Sequence, residues 1–259
     1  TYVSFSGVNS TVSEDTLTVI DPEPAAKRRQ NSWVTLLQAG TSLRKKLSAR
    51  NLYDAGISAR VHFYSFSDKA SDREGSMVPG ISTDGNTFQL RGFFQWQHHF
   101  NEELELIAGL HGLFFGYNGN LTADPRLSFK WQIDGRQSLS LGTGIFSQLP
   151  EQMFYFVETE LADGSVVRTN KDMGYMKSFH MVSGYDILIM EGLRLKSEVY
   201  YQHLFNIPVK QNVPAYSMLN FGDSYFDQLP IIDSLENKGT GKNYGIELTL
   251  EKFLDKGYY

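Results

Sequence analysis

The segment LRLKSEVYYQHL at 193–204 constrains the fold more than any other stretch. Leu193, Leu195, Val199 and Tyr201 take one parity, and Arg194, Lys196, Glu198 and Gln202 take the other. A strand points successive side chains to opposite faces, so this segment predicts a strand with one apolar and one charged face. The same alternation recurs along the chain. Trp33, Leu37, Leu43 and Leu47 share a parity in 32–48. Ile57, Ala59, Val61 and Phe63 oppose Ser58, Arg60, His62 and Tyr64 in 52–66. Phe88, Leu90, Phe94 and Trp96 oppose Gln89, Arg91, Gln95 and Gln97 in 87–100. Leu127, Phe129, Trp131 and Ile133 alternate in 125–133, and Tyr244, Ile246, Leu248 and Leu250 in 242–253. Further strands are expected at 104–117, 137–149 and 175–189.

Strand length and loop length decide what the apolar face meets. These strands run about 11 to 15 residues, whereas soluble strands typically run about 5 or 6. The short connections ARN, NEE, DGR, MEG and DKG alternate with the longer ones 67–86, 118–124, 150–174 and 206–240. All short turns then fall at one end of the sheet and all long loops at the other. A tilted membrane-spanning strand needs about 9 to 11 residues. Short periplasmic turns, long outer loops and dyad alternation are the marks of an outer-membrane barrel. The expectation is an all-β, antiparallel, up-and-down transmembrane β-barrel segment of about 9–10 strands in a Gram-negative outer membrane, lipid on the apolar parity and a wet lumen on the other. Two alternatives stay open. Eight strands suffice to close a small complete barrel, an adhesin or structural protein. A soluble β protein that binds a ligand would need a dry, continuous core on the apolar parity.

Residues 1–31 alternate weakly. They read as the end of a preceding strand plus an outer loop, with TLTVI as a possible short strand and DPEPAAKRRQN as loop. Residues 32–259 read as barrel hairpins. Nothing near Thr1 resembles a signal peptide, and both ends read as the interior of something longer.

Composition excludes more than it selects. No cysteine among 259 residues removes disulfides and thiolate metal sites. A net charge of −5 argues against a nucleic-acid partner, since phosphate binding needs a basic face. No run of about 20 apolar residues offers a transmembrane helix. The mean hydropathy of −0.31 does not oppose a barrel, whose strands show lipid every second residue. With 14 Tyr and 18 Phe, aromatics are plentiful. Trp33, Trp96, Phe100, Tyr117, Tyr185, Tyr200, Tyr201 and Tyr244 lie towards strand ends, where amphipathic rings suit membrane interfaces.

No catalytic motif is present: neither GxSxG, P-loop, HExxH nor a Rossmann glycine fingerprint. His62, His111 and His180 fall on the polar parity but on separate strands, too far apart for an ordinary ligand set. His98 and His99 are adjacent and point to opposite faces. No catalytic, cofactor-binding or metal residue is assigned, and the chain is not read as an enzyme. The candidate ligand surface is the set of loops at 67–86, 150–174 and 206–240.

Three segments carry a resemblance. LRLKSEVYYQHLFNIPV, LENKGTGKNYGIELTLEKFLDKGYY and DPRLSFKWQIDGRQSLSLGTGIFSQLPEQMFYF resemble the barrel region of TonB-dependent outer-membrane receptors of the Bacteroidetes type. In the last, a Pro-Arg strand start is followed by a hairpin and a Gln-x-Pro exit. The resemblance covers roughly residues 33–259. It implies a barrel of roughly 22 strands closed by a plug domain. It also implies import of a bulky ligand, a siderophore, vitamin or glycan, with energy from the TonB complex acting through that plug. No segment here reads as the plug, and no ligand-binding residue carries over.

Overall fold

The computed structural model describes residues 1–16, 25–71, 77–161, 163–220 and 232–253. The strands are β1 (Tyr2–Thr16), β2 (Ala25–Lys46), β3 (Asn51–Ser71), β4 (Met77–His99), β5 (Leu104–Phe115), β6 (Asn120–Asp134), β7 (Gln137–Gln148), β8 (Thr159–Glu160), β9 (Val166–Val167), β10 (Met176–Met190), β11 (Leu193–Lys210), β12 (Val213–Ser217) and β13 (Leu235–Lys252). One antiparallel sheet runs β1-β2-β3-β4-β5-β6-β7-β10-β11-β13, each long strand beside the next in the chain. The short β12 pairs with the far end of β11, beyond the last residue that β10 reaches. β8 and β9 form a small separate hairpin.

The register keeps one parity on one face across the whole sheet. Val199 pairs with Ser183 and Ile246, and Glu198 pairs with Gly184 and Glu247. The apolar parity is the exposed one. Phe5 is 75% exposed, Leu43 70%, Ile246 71% and Leu250 64%, and Val199, Leu127 and Ile57 stand out with them. The dry core that a soluble sheet would need on this face is absent among the described residues. The buried cluster lies instead at the long-loop end of the opposite face, around Tyr64, Phe66, Ile81, Phe115 and Phe154–Val157.

Several loop expectations change. Residues 67–86 are mostly paired strand, since β3 continues to Ser71 and β4 begins at Met77, with Ser71 opposite Met77. β5 ends opposite Gln89, so the stretch Met77–Phe88 of β4 rises beyond it as part of a tall blade with β2 and β3. Hydropathy alternation fades there although burial still alternates: the inner face carries polar Asp68 and Thr87 beside Phe66 and Ile81, while Ser65, Ser82 and Asp84 face outward, and the backbone still has to pair. Residues 25–31, expected as loop, open β2; most of the possible strand at 16–20 lies outside the described residues. The connection expected at 118–124 is a tight turn at 116–119, closed by Gly119 at φ 73. It is as short as the turns at the other end, so loop length does not alternate strictly.

Two glycines make room for rings on the inner face. Gly245 carries the Tyr200 ring, and a Cβ there would sit 2.6 Å from the phenol oxygen. Gly56 likewise lies under Phe93. Tyr200 therefore points inward rather than to an outer interface, and Tyr117 packs into the buried cluster against Phe156 at 5.0 Å.

Candidate functional site

The inner face of the sheet is a polar wall. Near the short turns it carries ion pairs: Arg194 joins Asp186 and Glu251, Lys196 joins Glu198 at 2.8 Å, and Arg44 joins Asp54 at 2.7 Å. Gln202 donates to Ser178 Oγ (3.0 Å) and His180 Nε2 (2.9 Å), and accepts from Asn243 Nδ2 (2.9 Å). The charged parity of 193–204 is thus a cross-strand network on this face.

The histidines lie where their parity places them, each with separate company. His62 faces the inner recess. His111 stacks on Phe93, and His180 packs on Phe146. His98 donates from Nδ1 to Asn51 Oδ1 at 2.9 Å, and His99 faces Glu105 at 3.6 Å. Among the described residues no three His, Asp or Glu side chains converge as a metal site.

At the long-loop end the expected surface loop 150–174 turns inward. Its run QMFYF forms a 3-10 turn, Gln152–Phe156, and Met153–Phe156 are buried. Tyr155 is wholly buried beside Phe115 and Tyr117, while Phe156 packs on Tyr64 at 4.8 Å. Four asparagines fasten this roof. Asn118 and Asn120 donate to the Met173 carbonyl at 2.9 and 3.0 Å. Asn237 Oδ1 accepts from Gly174 N at 2.8 Å. Asn170, fully buried, donates to the Phe154 and Ile232 carbonyls (3.1 and 2.7 Å) and accepts from Leu235 N (2.8 Å). Of the three expected ligand loops, then, the described part of 206–240 fastens the roof, 150–174 forms it, and 67–86 stands beside it as blade.

Under the roof lies a chamber of about 790 Å³. Arg60, His62, Gln89 and Arg91 line its wall, and Glu151, Gln152 and Tyr155 its ceiling. Gln30 Oε1, Gln152 Nε2 and Tyr155 Oη are buried there with no hydrogen-bond partner among the described residues. An unpaired buried polar atom costs about 1–3 kcal/mol, so these groups call for a partner in the chamber, water or solute. Burial pushes the Tyr155 phenol up, which keeps it a neutral donor.

One fastening of the roof is titratable. Lys210 Nζ donates to Asp233 Oδ1 at 2.8 Å and Thr159 Oγ1 to Oδ2 at 3.2 Å. Burial acts to raise the Asp233 carboxyl, but the Lys210 ammonium and the Thr159 hydroxyl outweigh it and hold the group below the usual carboxylate range. A carboxyl depressed on folding contributes stability above its unfolded value, about 3.9, and loses it as pH falls through the folded value. Proteolysis of the roof is therefore expected to rise below about pH 4. Asp233→Asn should already show, at neutral pH, the increment due to this carboxylate. The pair is partly solvated, so that increment stays below about 1 kcal/mol. Pepsin digestion across that pH range measures it; a wild type and variant with identical profiles would refute the linkage.

No family model matches the sequence, and no curated protein matches it. Solved structures match in fold. The copper transporter OprC aligns at TM-score 0.64 and 11% identity, over 98% of this chain and 41% of that one. The RagAB peptide transporter aligns at 0.62 and 10%, over 98% and 32%. The outer membrane transporter YddB from Escherichia coli aligns at 0.62 and 11%, over 96% and 36%. At these identities the likeness is one of fold: an up-and-down antiparallel sheet of the kind that builds outer-membrane β-barrels. The chain spans 32% to 41% of the length of these structures. Among its described residues no helix is long and apolar enough to cross a membrane, which says nothing of strands.

Proposed function

We propose that this chain is part of the wall of a TonB-dependent outer-membrane receptor of the Bacteroidetes type. On this reading it lies in a Gram-negative outer membrane and helps import a bulky ligand, a siderophore, vitamin or glycan. The energy comes from the TonB complex, which acts through a plug domain carried elsewhere in the protein. The chain is a passage and not an enzyme.

One observation carries the reading. Along ten long strands the exposed parity is apolar and the inner parity is polar, and the only large buried cluster among the described residues roofs that inner face. In water the exposed parity is an uncovered apolar surface far larger than soluble monomers show. Against lipid it is the expected outer band. β2, β3 and β4, at 22, 21 and 23 residues, exceed the roughly 9 to 11 needed for one crossing, so their far halves project from the bilayer as the blade. The three transporters of the same fold support the reading.

Fractionation of source cells, blotted with an antibody to this chain, tests it. The expected result is an outer-membrane band well above 29.4 kDa. A band near 29 kDa in that membrane would favour a complete small barrel, and a soluble band would sink the membrane assignment.

A further inference from the structure

The inner wall holds arginines that form no ion pair among the described residues. Ser58 pairs with Arg91 and Arg60 with Gln89, so Arg60 and Arg91 are diagonal neighbours on β3 and β4. Leu113 pairs with Arg91 and Gly109 with Arg126, which sets Arg126 two strands further on. Arg60 and Arg91 line the chamber under the roof. Arg91 and Arg126 line a second recess of about 360 Å³ together with His111. Arg91 borders both, so the two recesses form one cationic path.

Each guanidinium is held without an ion pair. Arg60 donates from Nε and Nη2 to the neutral amide of Gln38 at 3.0 and 2.8 Å. The Arg126 guanidinium lies 4.2 Å over the Phe146 ring, and its buried Nε has no partner among the described residues. Arg91 makes no hydrogen bond or ion pair among the described residues, and its charge is felt by Arg60 and His111. Two carboxylates border the path. Asp124 is fully buried and accepts from Ser147 N (2.9 Å), Ser147 Oγ (2.6 Å) and Thr122 Oγ1 (3.3 Å), so its oxygens are committed to β7 and its own strand although its charge still reaches Arg126 and His111. Glu151 in the roof has its carboxyl pushed up by desolvation, with no cation acting against that. Elsewhere on this face the arginines are matched: Arg28 with Asp68, Arg44 with Asp54, Arg194 with Asp186. The departure is confined to the path under the roof.

We propose that Arg60, Arg91 and Arg126 form a ladder that binds an oxyanion-bearing solute, carboxylate or phosphate, on the inner wall. Guanidinium forks take such groups in bidentate geometry, and a cleft where cations outnumber carboxylates concentrates the matching ion. The unpaired Gln30, Gln152 and Tyr155 atoms offer neutral contacts to the rest of the solute. The inference rests on the transport reading for its purpose, since an anion held here is cargo, but the binding is measurable without transport.

The test is calorimetric titration of the full-length protein in detergent with citrate and, separately, tripolyphosphate, at constant ionic strength set with chloride. Saturable binding of at least one is expected, and the preferred probe tells carboxylate from phosphate. Arg91→Gln should weaken it about tenfold, equivalent to about 1.4 kcal/mol, and the Arg60→Gln/Arg91→Gln pair further. Arg44→Gln, far from the roof and paired with Asp54, should leave it unchanged. Failure of both probes to saturate, or equal loss with Arg44→Gln, overturns the proposal. So does an Arg91→Gln protein that binds both probes normally but melts lower, because the protein's own acid would then cover the ladder. Binding as described in a protein that fractionates as soluble would refute the transport reading and leave the anion site standing.

Discussion

Asn170→Ala is expected to release the roof while leaving the wall intact. The side chain makes three buried hydrogen bonds, to the Phe154 and Ile232 carbonyls and from Leu235 N. Alanine removes all three bonds together and leaves the Leu235 N–H and the Ile232 carbonyl without this partner, while the Phe154 carbonyl keeps the Val157 N–H at 3.5 Å. At about 1–3 kcal/mol for each buried group left unsatisfied, the loss reaches at least about 2 kcal/mol. Local structures open at free energies well below that of the whole molecule, and the roof is tied to the wall mainly by asparagines and one aromatic cluster. The wall keeps its strand ladders, none of which Asn170 joins. Hydrogen exchange should therefore show lost protection over 152–175, with β3, β10 and β11 unchanged. Trypsin should cut at Arg168 and Lys171 far faster than in wild type. Unchanged cleavage would mean that aromatic packing alone holds the roof. Asn118→Ala removes two bonds to carbonyls of the same segment, Lys171 and Met173, and is expected to shift the same region less.

The contrast between wall and roof is also the contrast between what the sequence discloses and what it hides. Leu195, Val199, Ile246 and Leu250 declare their face because each has a polar neighbour of opposite parity facing different surroundings. That signal is local and repeats every two residues. The roof has no such signature. QMFYF is a run of large side chains within a predicted surface loop, and such a run is a sign of inward folding that the strand period cannot register. Asn170 meets Ile232 and Leu235 across more than sixty residues of chain, and nothing in RTNKD marks that partner. The arginine ladder falls between the two cases. Arg60, Arg91 and Arg126 are visibly on the polar parity, but which arginines find a carboxylate depends on strand register. Arg44 meets Asp54 because β2 and β3 pair those positions directly, while Arg91 lies opposite Ser58 and Leu113. The blade is hidden for a different reason: its inner face is buried under the roof, but it mixes Asp68 and Thr87 with Phe66 and Ile81, so burial alternates where hydropathy does not.

Val199→Arg provides the decisive test of the outer face. Val199 is half exposed and stands on the outward parity beside Ser183 and Ile246. It lies six residues into β11 from the short-turn end, near the middle of a crossing of about 9 to 11 residues. An arginine on the lipid side of a barrel near the bilayer midplane costs about 2–4 kcal/mol, falling to about 1 or less at the interfaces. A protein in water would barely register the same change, because an exposed valine replaced by arginine leaves its neighbours in solvent. The matching control sits on the next strand and the other face. Glu247 lies opposite Glu198, and Lys196 reaches Glu198 but leaves two like charges facing each other. Glu247→Arg replaces that repulsion with an attraction across the pair, and cross-strand charge pairs contribute roughly 0.2–1 kcal/mol, so it should be neutral or mildly stabilising. Denaturant unfolding of the full-length protein reconstituted in lipid vesicles compares the two directly. A loss of about 2 kcal/mol or more for Val199→Arg beside little change for Glu247→Arg assigns hydrocarbon to one face and water to the other. Equal, small effects would mean that both faces are wet, and the barrel-wall assignment would have to be given up.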